Sequence, residues 1–241
     1  MTFEQLFPNG RALIAMLHLK GLDSSDIHSR AEREIGIFYD NGFDAVLVEN
    51  YFGSLDDCRR ALDYLSRSYP DRVYGVNILG DEESAFGLAD AYGAKFIQID
   101  SVCGHLAPRR EPAFVDRLND LRAGSRALVF GGVRFKYQPV RSGRSLEEDL
   151  RLGTERCDAV VVTGDGTGIE TPQDKILRFR KSLGAFPLIT GAGVTADTVA
   201  QTLEHCDGVI VGSWLKAGHD AVGEVSEDYV RAFARAAGAP V

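Results

Sequence analysis

Residues 186–216 read FPLITGAGVTADTVAQTLEHCDGVIVGSWLK, and this stretch decides the fold. It contains two apolar runs, Phe186–Thr190 and Asp207–Gly212, separated by a segment long enough for a short helix. A glycine-containing loop follows each run. Apolar runs that alternate with helical segments are typical of βα units, whose parallel strands are buried on both faces. The rest of the chain can therefore be searched for the same unit.

Six further apolar runs precede this stretch, and each is followed by a candidate helix. The eight predicted strands are Ala12–Leu19, Asp44–Asn50, Val73–Leu79, Lys95–Asp100, Arg126–Phe135, Asp158–Thr163, Phe186–Thr190 and Asp207–Gly212. Near copies of one hexapeptide, FDAVLV at 43–48, CDAVVV at 157–162 and CDGVIV at 206–211, fall on strands 2, 6 and 8. Eight such units predict an α/β protein with one (β/α)8 TIM-barrel domain over residues 1–241. The alternative is a doubly wound open sheet, although no GxGxxG follows the first strand.

Capping residues mark three of the predicted helix starts. They are Ser54 with Asp57, Ser145 with Glu148, and Thr171 with Pro172 and Asp174. Residues of these types supply hydrogen-bond partners to the first turn of a helix. The loops before them should therefore lie at the carboxyl ends of the strands.

Charge and composition exclude several classes of protein. The formal net charge is −8 and no basic run is present, which argues against nucleic-acid or anionic-membrane binding. The apolar run Ala12–Leu19 is too short for a membrane span or a secretory signal. The four cysteines lie more than 40 residues apart, so they form no CxxC pair. We expect a cytoplasmic protein with reduced thiols.

The loops after strands 7 and 8 predict a phosphate-binding site at the catalytic end of the barrel. Gly191 and Gly193 lead toward a helix, and Gly212 and Ser213 precede a short extra helix expected near Ser213. Such loops expose backbone N–H groups, and barrels commonly bind phosphate at this position. Tight βα turns without a ligand are the alternative. Lys216 is expected either to add positive charge or to be a solvated lysine at a helix end.

The loop after strand 6, TGDGTG at 163–168, lies beside the predicted phosphate site. Its candidate ligand-binding residues are Thr163, Gly164, Gly166, Thr167 and Gly168. A flexible polar loop of this kind can wrap a ligand through backbone amides and the Thr167 hydroxyl. A plain surface loop is the alternative. Asp165 suits a sugar hydroxyl or a metal better than it suits a phosphate.

Polar residues at other strand ends are the candidate catalytic groups, because barrel enzymes place their chemistry there. Glu49 and Asp100 are candidates for an acid, a base or a stabiliser of developing positive charge. Lys136 is a candidate for a Schiff base or an anion clamp. Asn77 can orient a hydroxyl or carbonyl group, and His18 is a candidate acid or base. The residues that open strands and should lie at the opposite end are Asp44, Lys95, Asp158 and Asp207.

Structural roles remain open for the same groups. Glu49 or Asp100 could pair with Lys136 or Arg134 in an ion pair, and His18 could be a satisfied histidine at the edge of the core. Cys103 and His105 raise the possibility of a metal cluster, but no dense ligand motif supports it. A divalent cation held by Glu49 and Asp100 is the more plausible metal scenario. We predict no cofactor and no metal site.

Several motifs together resemble the BtpA/SgcQ family. They are MLHL at 16–19, VEN at 48–50, GVNIL at 75–79, VTGDGTG at 162–168, GAGVT at 191–195 and VGSWLK at 211–216. The resemblance implies a TIM-type barrel in a family that includes a photosystem I biogenesis factor and proteins labelled as nucleosidases. It carries over the positions Glu49, Asn50, Thr163, Gly164, Gly166, Gly168, Gly191, Gly193, Gly212 and Ser213.

The chain departs from the family pattern at three places. A proline-rich loop is replaced by residues 20–24, strand 4 ends in Gln98-Ile-Asp100 where Arg and Asn are common, and Phe135-Lys136-Tyr137 stands where a Lys-His pair is usual. These differences predict a changed substrate.

The leading hypothesis is an enzyme that binds a phosphorylated sugar or nucleotide-like substrate and cleaves an N-glycosidic bond. The alternatives are a phosphosugar isomerase or lyase, and a non-catalytic assembly or regulatory protein. The predicted partner is a phosphorylated small molecule, with no nucleic acid and no membrane span, and a homo-oligomer is compatible with the sequence.

Overall fold

All eight apolar runs form strands of one parallel sheet, and β1 pairs with β8 to close that sheet into a barrel. The computed structural model describes residues 1–239. The strands are β1 (Ala12–Leu17), β2 (Ala45–Glu49), β3 (Val73–Asn77), β4 (Phe96–Cys103), β5 (Leu128–Val133), β6 (Ala159–Val162), β7 (Leu188–Thr190) and β8 (Gly208–Val211). The (β/α)8 prediction is confirmed, and the open-sheet alternative is wrong.

Helices surround the barrel and bury its outer face. They are α1 (Phe3–Leu6), α2 (Ser24–Asp40), α3 (Leu55–Ser68), α4 (Glu82–Tyr92), α5 (Glu111–Gly124), α6 (Leu146–Thr154), α7 (Gln173–Leu183), α8 (Val199–Thr202) and α9 (Glu227–Ala236). Large side chains such as Phe38, Leu65, Phe179 and Phe233 are fully buried between helices and sheet. Over residues 1–239, no helix combines the length and the apolar character that crossing a membrane requires.

The predicted caps of α3 and α6 are confirmed, and the third is wrong. Ser54 and Ser145 each form a capping box with the acidic residue three positions later. Thr171 instead donates its hydroxyl to the Ala192 carbonyl at 3.1 Å, and α7 begins two residues later without a side-chain cap. Its hydroxyl therefore ties the β6 loop to the β7 loop.

Aromatic residues close the amino end of the barrel. The side chains of Phe3 and Phe7, in and just after α1, lie 5.8 and 6.4 Å from the ring of Phe130, measured between ring centroids. Phe96 stacks on Phe130 at 4.4 Å. The interior is consequently packed at this end, which leaves the carboxyl end of the strands for a cavity.

The repeated hexapeptide has a structural explanation at the same amino end. In each copy the aspartate that precedes the strand accepts a hydrogen bond from the backbone N–H of the neighbouring strand. The pairs are Asp44 with Leu13 at 2.8 Å, Asp158 with Val129 at 2.7 Å, and Asp207 with Leu188 at 2.8 Å. These carboxylates satisfy N–H groups at the amino ends of the strands, in keeping with their predicted place away from the catalytic end.

Strand β4 is longer than predicted and irregular at its carboxyl end. Ile99 pairs with Gly131, but the next pair is Cys103 with Val133, so four residues of β4 span the distance of two in β5. Asp100 thus lies inside a bulged strand and not at its last residue. A Cβ at Gly132 would lie only 2.0 Å from the Asp100 carbonyl oxygen. Gly132 in β5 therefore makes room for the bulge in β4.

Candidate active site at the carboxyl ends of the strands

A cavity of about 360 Å³ opens at the carboxyl end of the barrel. It brings together ten of the residues predicted from the sequence: His18, Glu49, Asp100, Lys136, Thr167, Gly168, Gly191, Gly193, Gly212 and Ser213. The other five, Asn50, Asn77, Thr163, Gly164 and Gly166, do not line it. Candidate catalytic groups and both glycine loops therefore face one space.

Two acidic side chains share one amide donor at the base of this cavity. Glu49 ends β2 and Asn77 ends β3, and the two residues are register partners in the sheet. The Asn77 Nδ2 group donates to Glu49 Oε1 at 2.8 Å and to Asp100 Oδ1 at 3.2 Å. Because both oxygens are bound by the same nitrogen, Glu49 Oε1 and Asp100 Oδ1 lie within about 6 Å of each other. Asn77 is thus a supporting residue behind the acidic pair.

The Asp100 side chain is held from a second direction. Gln98, two residues earlier in β4, donates Nε2 to the same Asp100 Oδ1 at 3.3 Å and also lines the cavity. Residues two apart in a strand point to the same face. Because Asp100 faces the cavity, Gln98 in the same strand faces it too, and this places its amide next to the Asp100 carboxylate.

Burial gives Glu49 an unusual protonation behaviour. The side chain is buried, and burial together with the nearby Asp100 charge raises the pKa of Glu49 to about 7, although Lys136, Asn77 and Lys216 oppose the rise. A carboxyl group with a pKa near neutrality can both give and take a proton at physiological pH. Glu49 is therefore suited to acid or base chemistry.

His18 and Lys216 form a second buried pair next to Glu49. His18 follows β1, and its Nε2 atom lies 3.8 Å from Glu49 Oε2. The Nζ atom of Lys216 lies 2.6 Å from His18 Nδ1. The expectation of a solvated Lys216 is wrong, because the residue is only 3% exposed and burial lowers its pKa to about 8. Burial, followed by the charges of Lys216 and Lys136, lowers the pKa of His18 well below its ordinary range.

Lys136 faces the cavity and has no carboxylate partner among the residues that the structure describes. Its Nζ atom donates to the Thr167 hydroxyl at 3.3 Å. Arg134, which was considered as a partner for Glu49 or Asp100, binds Asp149 at 2.9 Å instead. Within residues 1–239, neither Lys136 nor Arg134 forms an ion pair with the acidic pair, so the ion-pair alternative is wrong.

The β7 and β8 loops line the opposite side of the cavity. The backbone N–H groups of Gly193, Val194, Ser213 and Trp214 have no hydrogen-bond acceptor among residues 1–239. The short helix expected near Ser213 is present as a 3-10 turn over Ser213–Leu215. The helix expected directly after the β7 loop begins only at Val199 and has four residues. An anion at the β7 and β8 loops would therefore be bound mainly by exposed backbone N–H groups and not by the end of a helix.

Gly193 is required by its conformation and by its neighbours. Its φ is +66°, and a Cβ there would lie 2.3 Å from the Ile169 carbonyl oxygen and the Glu170 nitrogen. The β6 loop also approaches β8, since a Cβ at Gly168 would lie 3.7 Å from Ser213 Oγ. The loops after β6, β7 and β8 thus pack into one continuous rim.

Four of the predicted ligand-binding residues do not line the cavity but contact residues of the loops around it. Asn50 Oδ1 accepts the Leu79 N–H at 2.8 Å. Thr163 Oγ1 accepts the Lys136 N–H at 2.9 Å. Gly164 packs under the Ile169 and Glu170 carbonyls, and Gly166 lies against Ile169 and Tyr137. These residues shape the loops around the cavity.

Several residues that line the cavity were not predicted from the sequence. They are mainly Tyr51, Gln98, Tyr137, Trp214 and His219. Gln98 could have been found from its i, i+2 relation to Asp100. The aromatic residues follow strand ends, where sequence alone does not tell which side chains turn inward.

Residues 1–239 contain no group of three or more His, Cys, Asp or Glu side chains placed to hold a metal ion. Cys103 lies 3.6 Å from an Arg144 nitrogen and 3.7 Å from Asp149 Oδ1, within a network of charged side chains. It does not join His105 in a cluster of metal ligands. All four cysteines are free and buried.

Comparison with known proteins adds three findings. The chain is 32% identical to an uncharacterized protein of Thermococcus kodakarensis over 96% of this chain and 95% of the other. It is 25% identical to the photosystem I biogenesis protein BtpA of Synechocystis, over 90% and 84% of the two chains. Its fold is similar to phosphoribosylanthranilate isomerase from Thermotoga maritima, with a TM-score of 0.62, 16% identity, and coverage of 94% and 98%.

The model of the BtpA family matches residues 71–239, from the start of the segment leading into β3 to the last residue that the structure describes. This span includes Asp100, Lys136 and all three loops of the rim. Together with the full-length match to the archaeal protein, it establishes that the chain belongs to the BtpA family.

Proposed function

We propose that this protein is an enzyme that cleaves the N-glycosidic bond of a phosphorylated, nucleotide-like substrate. The observation that carries the proposal is the pair Glu49 and Asp100, bridged by Asn77 and facing the glycine loops across one cavity. Breaking such a bond develops positive charge at the anomeric carbon and negative charge on the leaving nitrogen. A nearby carboxylate stabilises the positive charge, and a proton donor neutralises the negative charge on the nitrogen.

Glu49 is the proposed proton donor. Its pKa of about 7 means that a large fraction of the protein carries the proton at neutral pH. When the carbon–nitrogen bond breaks, its electron pair goes to the departing nitrogen, which takes the Glu49 proton. Asp100 stabilises the positive anomeric carbon and accepts a proton from the water whose oxygen bonds to that carbon. The products are a free base and a sugar phosphate.

The rim loops are the proposed phosphate anchor. The N–H groups of Gly193 and Ser213, which have no acceptor within residues 1–239, belong to the lining of the cavity, as do the Thr167 hydroxyl and the Lys136 amine. Phosphate bound there would supply binding energy remote from the reacting bond and hold the sugar in place. A barrel of the same fold acts, according to its name, on a phosphoribosyl compound, which is consistent with this assignment.

The proposal is tested by incubating the protein with nucleosides, nucleoside monophosphates and ribose phosphates and measuring release of free base. We expect release from a monophosphate, and loss of at least 100-fold in kcat for Glu49→Gln and Asp100→Asn, the range typical of acid–base groups. Glu204→Gln, at an exposed position, is the control. No base release by wild type, with ribose 5-phosphate still bound, would contradict the proposal.

A phosphosugar isomerase or lyase is the second candidate, favoured by one observation. Lys136 presents its amine to the cavity, and among residues 1–239 the Thr167 hydroxyl is its only side-chain hydrogen-bond partner. Such an amine can form a Schiff base with a carbonyl substrate. Borohydride reduction in the presence of sugar phosphates, followed by mass spectrometry, would reveal a stable adduct on Lys136. Absence of an adduct with every carbonyl substrate removes the imine mechanism.

A further inference from the structure

A buried lysine contacts the side of His18 that faces away from Glu49. Lys216 Nζ lies 2.6 Å from His18 Nδ1 and donates to the Ala221 carbonyl at 3.2 Å. A lysine ammonium has hydrogens to give and no lone pair to accept one. We propose that Lys216 is a positioning residue that holds His18 as the neutral Nε2–H tautomer, with this N–H directed toward Glu49 and the cavity. The inference deepens the proposed function, although the tautomer itself does not depend on which reaction occurs.

The ring of His18 is fixed in place from two other directions. A Cβ at Gly212 would lie 3.0 Å from Cε1 and 3.2 Å from Nε2 of His18, so the imidazole packs directly on the backbone of the β8 loop. On another side, Tyr51 stacks with the ring at a centroid distance of 5.0 Å. A ring held by packing, with one nitrogen occupied by Lys216, has one free nitrogen to offer a ligand.

The backbone around Lys216 is also held. Its N–H donates to the Ser213 carbonyl at 3.1 Å, and the residue forms an isolated antiparallel bridge with Val225. The next N–H, that of Ala217, donates to the Glu224 carbonyl at 2.8 Å. Contacts with Ser213 and with the segment 224–225 therefore fix the backbone from which the lysine side chain reaches the histidine.

Electrostatics favours one positive charge, and not two, on the pair formed by Lys216 and His18. Two adjacent buried cations would repel each other in a medium of low dielectric constant. Lys216 is attracted by the carboxylates of Glu34 on α2, Glu49 on β2 and Asp220 in its own loop, whereas Lys20 repels it. Burial, followed by the charges of Lys216 and Lys136, disfavours the protonated form of His18 and outweighs the opposing effect of the Ala221 backbone. Lys216 is therefore the protonated, positively charged residue of the pair, and His18 is neutral.

A neutral N–H at this position has a chemical use. The 3.8 Å between His18 Nε2 and Glu49 Oε2 is too long for a direct hydrogen bond. A substrate oxygen that enters the cavity can accept the Nε2 proton while Glu49 acts on the same substrate. Because the imidazole is uncharged, it can polarise a ligand without neutralising the acidic pair.

The tautomer can be measured without substrate by ¹⁵N–¹H correlation NMR on protein labelled at its five histidines, with His18→Gln to assign the signal. In wild type at pH 7 we expect a proton on Nε2 and a bare Nδ1. In Lys216→Met we expect loss of this single tautomer and a higher pKa of His18. Lys20→Met, which removes an exposed lysine that also lies near Lys216, should leave the His18 signal unchanged.

Two results would overturn the inference. A proton on Nδ1 in the wild-type protein would show that Lys216 does not set the tautomer, and this measurement needs no variant to fold. A folded Lys216→Met protein whose His18 tautomer and pKa match wild type would show that Lys216 has no positioning role. Neither result depends on base release, so failure of this inference is distinct from failure of the proposed reaction.

Discussion

The Asn77 side-chain amide donates to Glu49 Oε1 at 2.8 Å, and the two residues face each other as partners at the ends of β3 and β2. This hydrogen bond is one of the few interactions that oppose the rise in the Glu49 pKa. The protonation of Glu49 therefore depends on a residue that does not line the cavity.

Replacing Asn77 by alanine should change both protonation and stability. Without the amide, the charged form of Glu49 loses a donor, so its pKa should rise above about 7. At pH 8 the free energy of unfolding should fall by about 1–3 kcal/mol, because the buried Glu49 Oε1 acceptor loses its Asn77 donor. Carboxyl ¹³C titration and urea denaturation measure the two effects. Asn119→Ala, at an exposed position of α5, should change neither. An unchanged Glu49 pKa would refute the role given to Asn77.

Glu49 should make the protein less stable as pH rises. Its ordinary pKa is 4.5 and its folded pKa is about 7, so between these values the folded state binds more protons than the unfolded chain. Stability is then lost as pH increases through this window. Glu49→Gln should be more stable than wild type by up to about 3 kcal/mol at pH 8, and the difference should vanish near pH 4. Urea unfolding across pH provides the test, with Glu204→Gln as the flat control. A Glu49→Gln advantage that does not vary with pH would contradict the raised pKa.

Gly193→Ala should disrupt the rim more than an equivalent change elsewhere. The added Cβ would overlap the backbone of Ile169 and Glu170, in addition to the cost of a left-handed φ. Gly10 has a similar φ of +70° and open space around it, so Gly10→Ala separates the two costs. We expect about 1 kcal/mol of destabilisation for Gly10→Ala, a larger loss for Gly193→Ala, and weaker binding of ribose 5-phosphate only in the latter. Calorimetric binding and thermal unfolding measure these effects. Equal behaviour of the two variants would show that the clash is relieved without moving the loop.

Asp158→Ala should weaken the barrel but leave the cavity intact. The carboxylate accepts the Val129 N–H at the amino end of β5, and its removal leaves that group unsatisfied. We expect a loss of about 1–3 kcal/mol in the free energy of unfolding, with ligand affinity unchanged. Asp116→Ala, at an exposed position of α5, is the matched control. A loss of ligand affinity in folded Asp158→Ala would contradict the purely structural role.

The sequence predicted the fold well because its signal is repeated eight times. Each strand is an apolar run buried on both faces, so its existence does not depend on any one residue, and errors were confined to strand ends. The bulge in β4 was not predicted, because it depends on the steric room that Gly132 in the next strand leaves for the Asp100 carbonyl. The predicted Thr171 cap was wrong for a similar reason, because the Thr171 hydroxyl donates to a residue distant in sequence, at the Ala192 carbonyl.

The sequence by itself determined the barrel, the end of the barrel that carries polar residues, and the glycine loops after strands 7 and 8. The barrel follows from the local periodicity of apolar residues. The loops follow from glycines, which are found where the backbone turns tightly or exposes its amides. Only the tertiary structure decided which polar groups touch: Asn77 between Glu49 and Asp100, and Lys216 behind His18. Residues 198 positions apart meet there because closing the sheet brings β8 beside β1. Burial and distance set protonation in this cluster, and neither quantity can be read from the order of residues.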